Sequence, residues 1–151
     1  MQFIKILENK VMIKSIIENW EKDKSKLEAW FREGNGHDYE EIVTKIVELF
    51  LQELQIDKWD IMSYSKVNVI DEGSYQGELL FVIIPNEYQP SVSEFIITDQ
   101  YYGSCSGCDL LQGIWGYSND KPTDEQVREL MLLSLHLIQK MKFIGDLDNE
   151  D

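Results

Sequence analysis

Cys105 and Cys108 are the two cysteines of this chain, and they lie in one short run, Tyr101-Tyr102-Gly103-Ser104-Cys105-Ser106-Gly107-Cys108-Asp109. Two thiols at C-x-x-C spacing support three kinds of arrangement. At a strand-to-helix junction, free N–H groups and the helix dipole favour a thiolate, the condition for a redox pair. As half a zinc site they require two further ligands. As part of a Gly/Ser-rich turn they are small residues beside a concavity of backbone N–H groups, which can receive an anion or a carboxylate.

The surrounding residues separate these readings. The strands before the run look antiparallel and no βαβ unit precedes it, which argues against a thioredoxin-like oxidoreductase. Zinc would need ligands beyond Cys105, Cys108 and Asp109, yet His37 opens one helix and His136 lies within another; His136 reads as a partly buried helix residue. The expected cofactor is therefore none, with zinc as the alternative. The turn reading is favoured: both thiols pack beneath the turn and Asp109 caps the helix that follows. Tyr75-Gln76-Gly77 lies at the entry to another strand, where Gly77 permits close backbone approach. Tyr75, Gln76, Tyr101, Tyr102 and Ser104 are the candidate binding patch, on a shared rim of the sheet. P-loop, G-x-G-x-x-G, H-E-x-x-H and G-x-S-x-G motifs do not occur, so no catalytic residue is assigned.

Charge supplies the second clue. The 151 residues carry a formal net charge of −14. Residues 1–33 hold seven Lys/Arg against six Asp/Glu, whereas residues 34–151 hold seven against twenty-two. A body this acidic disfavours direct binding to nucleic acid or an anionic membrane, and it steers the protein toward a basic partner. No window approaches the ~18 apolar residues of a membrane span, and the N-terminus lacks signal-peptide order. A cytoplasmic protein is expected.

The elements that position these residues follow from periodicity. Ile4, Leu7, Val11, Ile16, Ile17 and Trp20 recur at helical spacing, and a second helix restarts near Asp23 or Ser25 and stops at Gly34-Asn35-Gly36. Asp38 caps another helix running to about Gln55. Residues 61–70, 79–84 and 94–102 read as strands, the central one covered on both faces. Their short connections imply an antiparallel three-stranded meander. Cys108 to Trp115 is a short helix, and Thr123-x-x-Gln126 is the capping box of a last helix carrying Val127 to Met141. The expectation is one α+β domain over residues 1–151, ordered α-α-β-β-β-α-α, with helices flanking the sheet. Residues 1–25 read as a helical extension and 146–151 as an acidic tail.

One resemblance joins these motifs. Gly73-Ser-Tyr-Gln-Gly77, Leu80-Phe-Val-Ile83, Tyr102-Gly-Ser-Cys-Ser-Gly-Cys-Asp109 and the stretch from Leu130 to Met141 resemble a group of small bacteriophage- and prophage-encoded proteins of unassigned activity. The likeness spans roughly residues 26–144, on the boundary accuracy of such readings. It implies a phage protein acting in the host bacterial cytoplasm. With the charge, it leads to an accessory protein that binds a host protein, an anti-defence inhibitor occupying a basic nucleic-acid-binding surface. The alternatives are a thiol-redox or metal protein centred on Cys105 and Cys108, and a structural or oligomeric phage component.

Overall fold

The first helix, α1, runs unbroken from Gln2 to Glu33. Asp23 does not restart it: its carboxylate pairs with Lys26 at 3.2 Å, one turn on, and Lys24 pairs with Glu21 in the same way. No Gly or Pro occurs before Gly34, so nothing forces an interruption. Met12, Ile16, Trp20, Leu27 and Phe31 form the buried stripe of α1. The computed structural model describes residues 2–34, 36–56, 59–73, 76–105, 109–116 and 121–145.

Helix α2 (Tyr39–Phe50) begins as expected, with the Asp38 carboxylate accepting from Glu41 N–H at 2.8 Å. It ends before Gln55 for a reason that lies on α1. The Asn19 amide donates to the carbonyls of Phe50 and Glu53, and Ser15 Oγ accepts from Gln55 N–H. These bonds satisfy the end of α2 and release Leu54–Gln55 to form β1. Strand β1 pairs antiparallel with β2 (Ile61–Met62) in a small hairpin.

The main sheet contains β3 (Tyr64–Asp71), β4 (Gly77–Pro85), β5 (Ile96–Tyr102) and β6 (Lys142–Phe143), in that spatial order. The expected meander is thus present with β4 between its neighbours, but the sheet has four antiparallel strands and a separate hairpin precedes it. The stretch read as one strand over 61–70 is two, broken between Met62 and Tyr64. A single 3-10 turn at Val92–Glu94 leads into β5, which starts at Ile96. Two-residue strands such as β1, β2 and β6 carry too little alternation to register as a period.

Helix α3 (Leu110–Trp115) and helix α4 (Asp124–Gln139) follow. The Thr123–Gln126 capping box closes reciprocally, at 2.8 and 3.1 Å. The Gln126 amide also donates to Ile114 O, tying α3 to α4. Helix α2 lies on β3 and β4, α4 lies on β5, and α1 packs across α2 and α4. Tyr64, Phe81, Ile83, Ile96 and Phe143 meet them in one core. The helices cover the Phe81 and Ile83 face of β4; on its other face Leu80, Val82 and Ile84 stay outside that core and are half-buried. The architecture is α+β. Among the described residues no helix is long and apolar enough to cross a membrane.

Candidate functional site

The 101–109 segment opens onto a groove of 490 Å³ between the sheet, the start of α2 and α3. His37, just before α2, and Tyr39 at its start line it, with Val69, Asp71 and Leu79 from the sheet and Trp115 from α3. Tyr102, Gly103 and Asp109 complete it.

Asp109 organises this wall. It is the N-cap of α3, and the residue is 5% exposed. Oδ1 accepts from Gln112 N–H at 3.1 Å and from the Tyr39 hydroxyl at 2.9 Å; Oδ2 accepts from Gly103 N–H at 2.9 Å. The same Tyr39 hydroxyl accepts from Leu111 N–H at 3.0 Å. Two free donors of the first turn of α3 are thereby satisfied, one by Asp109 and one by Tyr39. Burial, more than the neighbouring carboxylate, drives the Tyr39 phenol well above its ordinary range. Of the turn's N–H groups, that of Gly103 thus bonds the chain's own carboxylate.

A second tie lies across the groove. The Tyr102 hydroxyl donates to Asp71 Oδ1 at 2.6 Å, and Gly73 N–H donates to the same oxygen at 2.9 Å. These bonds hold the Asp71 carboxyl below the usual range, and Asp71 in turn pushes the Tyr102 phenol up to about 12. The turn beneath them depends on glycine. A Cβ on Gly73 would stand 2.7 Å from the Tyr102 hydroxyl, and one on Gly77 would stand 2.8 Å from Gly73 Cα.

At the far end, Trp115 Nε1–H donates to His37 O at 3.0 Å. The His37 ring stacks on Trp30, with centroids 3.8 Å apart, and its Nδ1 lies 3.0 Å from Glu41. That contact holds the Glu41 carboxyl below its usual range.

The candidate residues are divided by this geometry. Gln76 and Tyr101 meet on the face of the sheet away from the helices, with Tyr101 Oη 3.5 Å from Gln76 Oε1. Tyr102 points to the opposite face, into the groove. Ser104 and Cys105 are exposed. The expectation that both thiols pack beneath the turn fails at Cys105, because the buried place there belongs to Gly103 and the Asp109 carboxylate. His136 is also exposed rather than partly buried. Tyr75 and Cys108 lie outside the described residues. Among the described residues no group of three or more His, Cys, Asp or Glu is arranged to hold a metal ion.

Sequence reasoning missed Tyr39, Asp71 and Trp115. Tyr39 and Asp109 are 70 positions apart, and an aromatic residue just after a cap carries no sign of a distant carboxylate. It also missed a second acidic surface, a cavity of 440 Å³ lined by Glu8, Asp60, Glu87 and Glu94 beside Ile61. Burial, then the adjacent Glu87, raises the Glu94 carboxyl, whose buried Oε2 has no hydrogen-bond partner among the described residues. Trp59 and Tyr88, next in sequence to Asp60 and Glu87, are strongly exposed.

Chemically, the groove is one-sided. The hydroxyls of Tyr39 and Tyr102, the Trp115 indole and the N–H groups of Gly103, Leu111 and Gln112 are all engaged within the protein. Both described bonds to Asp71 fall on Oδ1, which leaves Oδ2 as an acceptor; Asp38 and Glu40 add further carboxylates, and among the described residues no Lys or Arg lines the groove. General acid–base catalysis calls for a group that titrates near the working pH. Asp71 and Tyr102 are displaced from neutrality in opposite directions, one fixed as an anion and the other as a phenol. The groove is suited to holding a donor-rich, cationic group against aromatic walls. No protein family, curated protein or solved structure matches this chain.

Proposed function

We propose that this is an acidic binding protein whose partner is a basic protein, engaged through the Asp71–Tyr102–Trp115 groove. The observation that carries the reading is the one-sided chemistry of the groove: aromatic walls, donors engaged within the protein, several carboxylates, and no Lys or Arg among the described residues that line it. The charge imbalance of residues 34–151 supports it, because long-range attraction would bring a basic surface to this body. In the phage setting implied by the sequence resemblance, the partner is a host nucleic-acid-binding protein, and the acidic body competes with DNA or RNA for its basic surface.

The test is competitive capture. Immobilised protein is exposed to bacterial lysate, and bound proteins are challenged with duplex DNA or with RNA. The reading expects a basic nucleic-acid-binding protein that nucleic acid displaces and that Asp71→Asn retains at least fivefold less well. Retention that nucleic acid does not compete, or that Asp71→Asn leaves unchanged, overturns it.

A further inference from the structure

The main sheet has two edges, and the chain's own side chains close one of them. At β6, the Asn9 side chain of α1 accepts from Phe143 N–H at 3.0 Å. Past the end of β6, the outward carbonyls of β5 are taken in turn. Lys140 Nζ donates to Asp99 O, and the Gln100 amide donates to Tyr101 O at 3.1 Å.

The opposite edge, β3, is different. Its first residue is tied to the segment just after α2: Tyr64 N–H donates to Leu51 O at 2.9 Å, and Tyr64 O accepts from the Gln52 amide at 3.2 Å. Beyond Tyr64, register decides which backbone groups point outward. Glu72 N–H donates to Glu78 O, one step past the Asp71–Leu79 pair. In an antiparallel ladder such bonded pairs alternate, so Ile70, Asn68 and Lys66 also turn their backbone groups to β4. The N–H and C=O groups of Val67, Val69 and Asp71 therefore point away from the sheet. Among the described residues, none bonds them.

The side chains of these three residues lie on the groove side. Val67 is level with Ile83, Val69 with Phe81 and Asp71 with Leu79, all on the helix face, and Val69 and Asp71 line the groove itself. An extended segment bonded antiparallel to this edge puts three alternate side chains on that face, opposite Asp71, Val69 and Val67. Residues directly opposite have Cβ atoms about 5 Å apart, so the first of the three side chains reaches Asp71 Oδ2. The other two meet valines.

Charge selects the segment. Asp38 and Glu40 line the same groove as Asp71, and Lys66 lies by alternation on the other face of β3. A second copy would bring its own Asp71 and a net charge of −14 to this edge, whereas a basic strand is attracted to it.

We propose that the basic partner is held by strand addition: an extended segment of it pairs antiparallel with β3 over Val67–Asp71, with a cationic side chain opposite Asp71 and apolar side chains opposite Val69 and Val67. Main-chain bonds supply affinity, and Asp71 selects the cation. Strand addition rests on the groove reading above and adds the backbone form that the partner takes.

The probe is a short capped peptide with one arginine and two valines at alternate positions, in that order, spaced by threonines. It is titrated into the full chain and read by NMR. The expected result is saturable binding below about 1 mM, with amide exchange at Val67, Val69 and Asp71 slowed at least fivefold at saturation. N-methylation of the peptide valine opposite Val69 removes an N–H that faces the edge and should weaken binding at least tenfold. N-methylation of the threonine after it, whose N–H faces away, should weaken binding less than threefold. No binding at about 1 mM, unprotected edge amides, or equal effects of the two methylations overturns strand addition. Shifts at Trp115 that require Asp71, without edge protection, retain the groove and overturn the strand. Edge protection that Asp71→Asn leaves intact retains the strand and overturns the groove. Edge protection that rises with protein concentration in the absence of peptide shows a second copy on the edge, and it overturns the proposal.

Discussion

Replacing Tyr39 by Phe removes one oxygen and leaves the ring, yet it undoes two bonds at once. The buried Asp109 carboxylate loses one of its three donors, and the Leu111 N–H loses its acceptor. A hydrogen bond to a charged group contributes about 1.5–3 kcal/mol, and an orphaned buried polar group costs about 1–3 kcal/mol. Water from the adjoining groove can reach part of the gap, so the lower part of the combined range applies, about 3 kcal/mol. For a chain of this size that lowers the melting midpoint by about 6–12 °C. Tyr64→Phe is the control. Its hydroxyl makes a single strong bond, to the Glu94 carbonyl at 2.7 Å, so its loss costs about 1 kcal/mol. Urea unfolding with an unchanged m-value measures both. Tyr39→Phe combined with Asp109→Asn should cost less than the sum of the two single changes, because the three residues form one network. If Tyr39→Phe costs no more than Tyr64→Phe, the claim that Tyr39 and Asp109 jointly cap α3 is wrong.

Three further outcomes are expected. Gly73→Ala forces a methyl group against the Tyr102 hydroxyl and the Gln76 backbone; it should destabilise by about 2 kcal/mol and return the Tyr102 phenol from about 12 toward 10, read by ultraviolet titration. Glu94→Gln should raise the melting midpoint at pH 8. The folded state holds the Glu94 proton more tightly than the unfolded chain does, so its stabilisation is complete below the ordinary carboxyl range and is lost as pH rises through the raised value. The advantage of the glutamine should therefore vanish on acidification, and an advantage that grows toward acid pH would refute the assignment. Thr123→Ala opens the capping box and should cost about 1 kcal/mol, measured by urea unfolding.

What the sequence disclosed here was local. Asp38, Thr123 with Gln126, and Asp109 declare themselves as caps because the relevant bonds span three residues. The apolar run 79–84 marks the middle of the meander because it is short and bounded by Gly77 and Pro85, although a continuous run also suggested cover on both faces. Its outward residues, Leu80, Val82 and Ile84, are instead half-buried and stay outside the core. Non-local features were hidden. The end of α2 is determined by Asn19, 31 positions earlier. The groove needs Asp71 and Tyr102, brought together by strand register, and Tyr39 and Trp115, brought in by helices from opposite ends of the chain. The C-x-x-C pair drew attention to the 101–109 segment, where the described bonds belong to Asp109 and its donors and Cys105 is exposed.

In the proposed function the groove, rather than bulk acidity, receives the cationic partner. The most direct measurement is an amide and indole NMR titration of the full chain with a nine-residue oligoarginine peptide at physiological salt. Binding in the groove predicts shifts concentrated on residues 36–40, Asp71, residues 102–103 and the Trp115 indole. It also predicts that Asp71→Asn weakens binding at least fivefold, whereas Glu21→Gln, on exposed α1, barely changes it. Shifts spread evenly over the acidic surface, with the two variants equivalent, would contradict it.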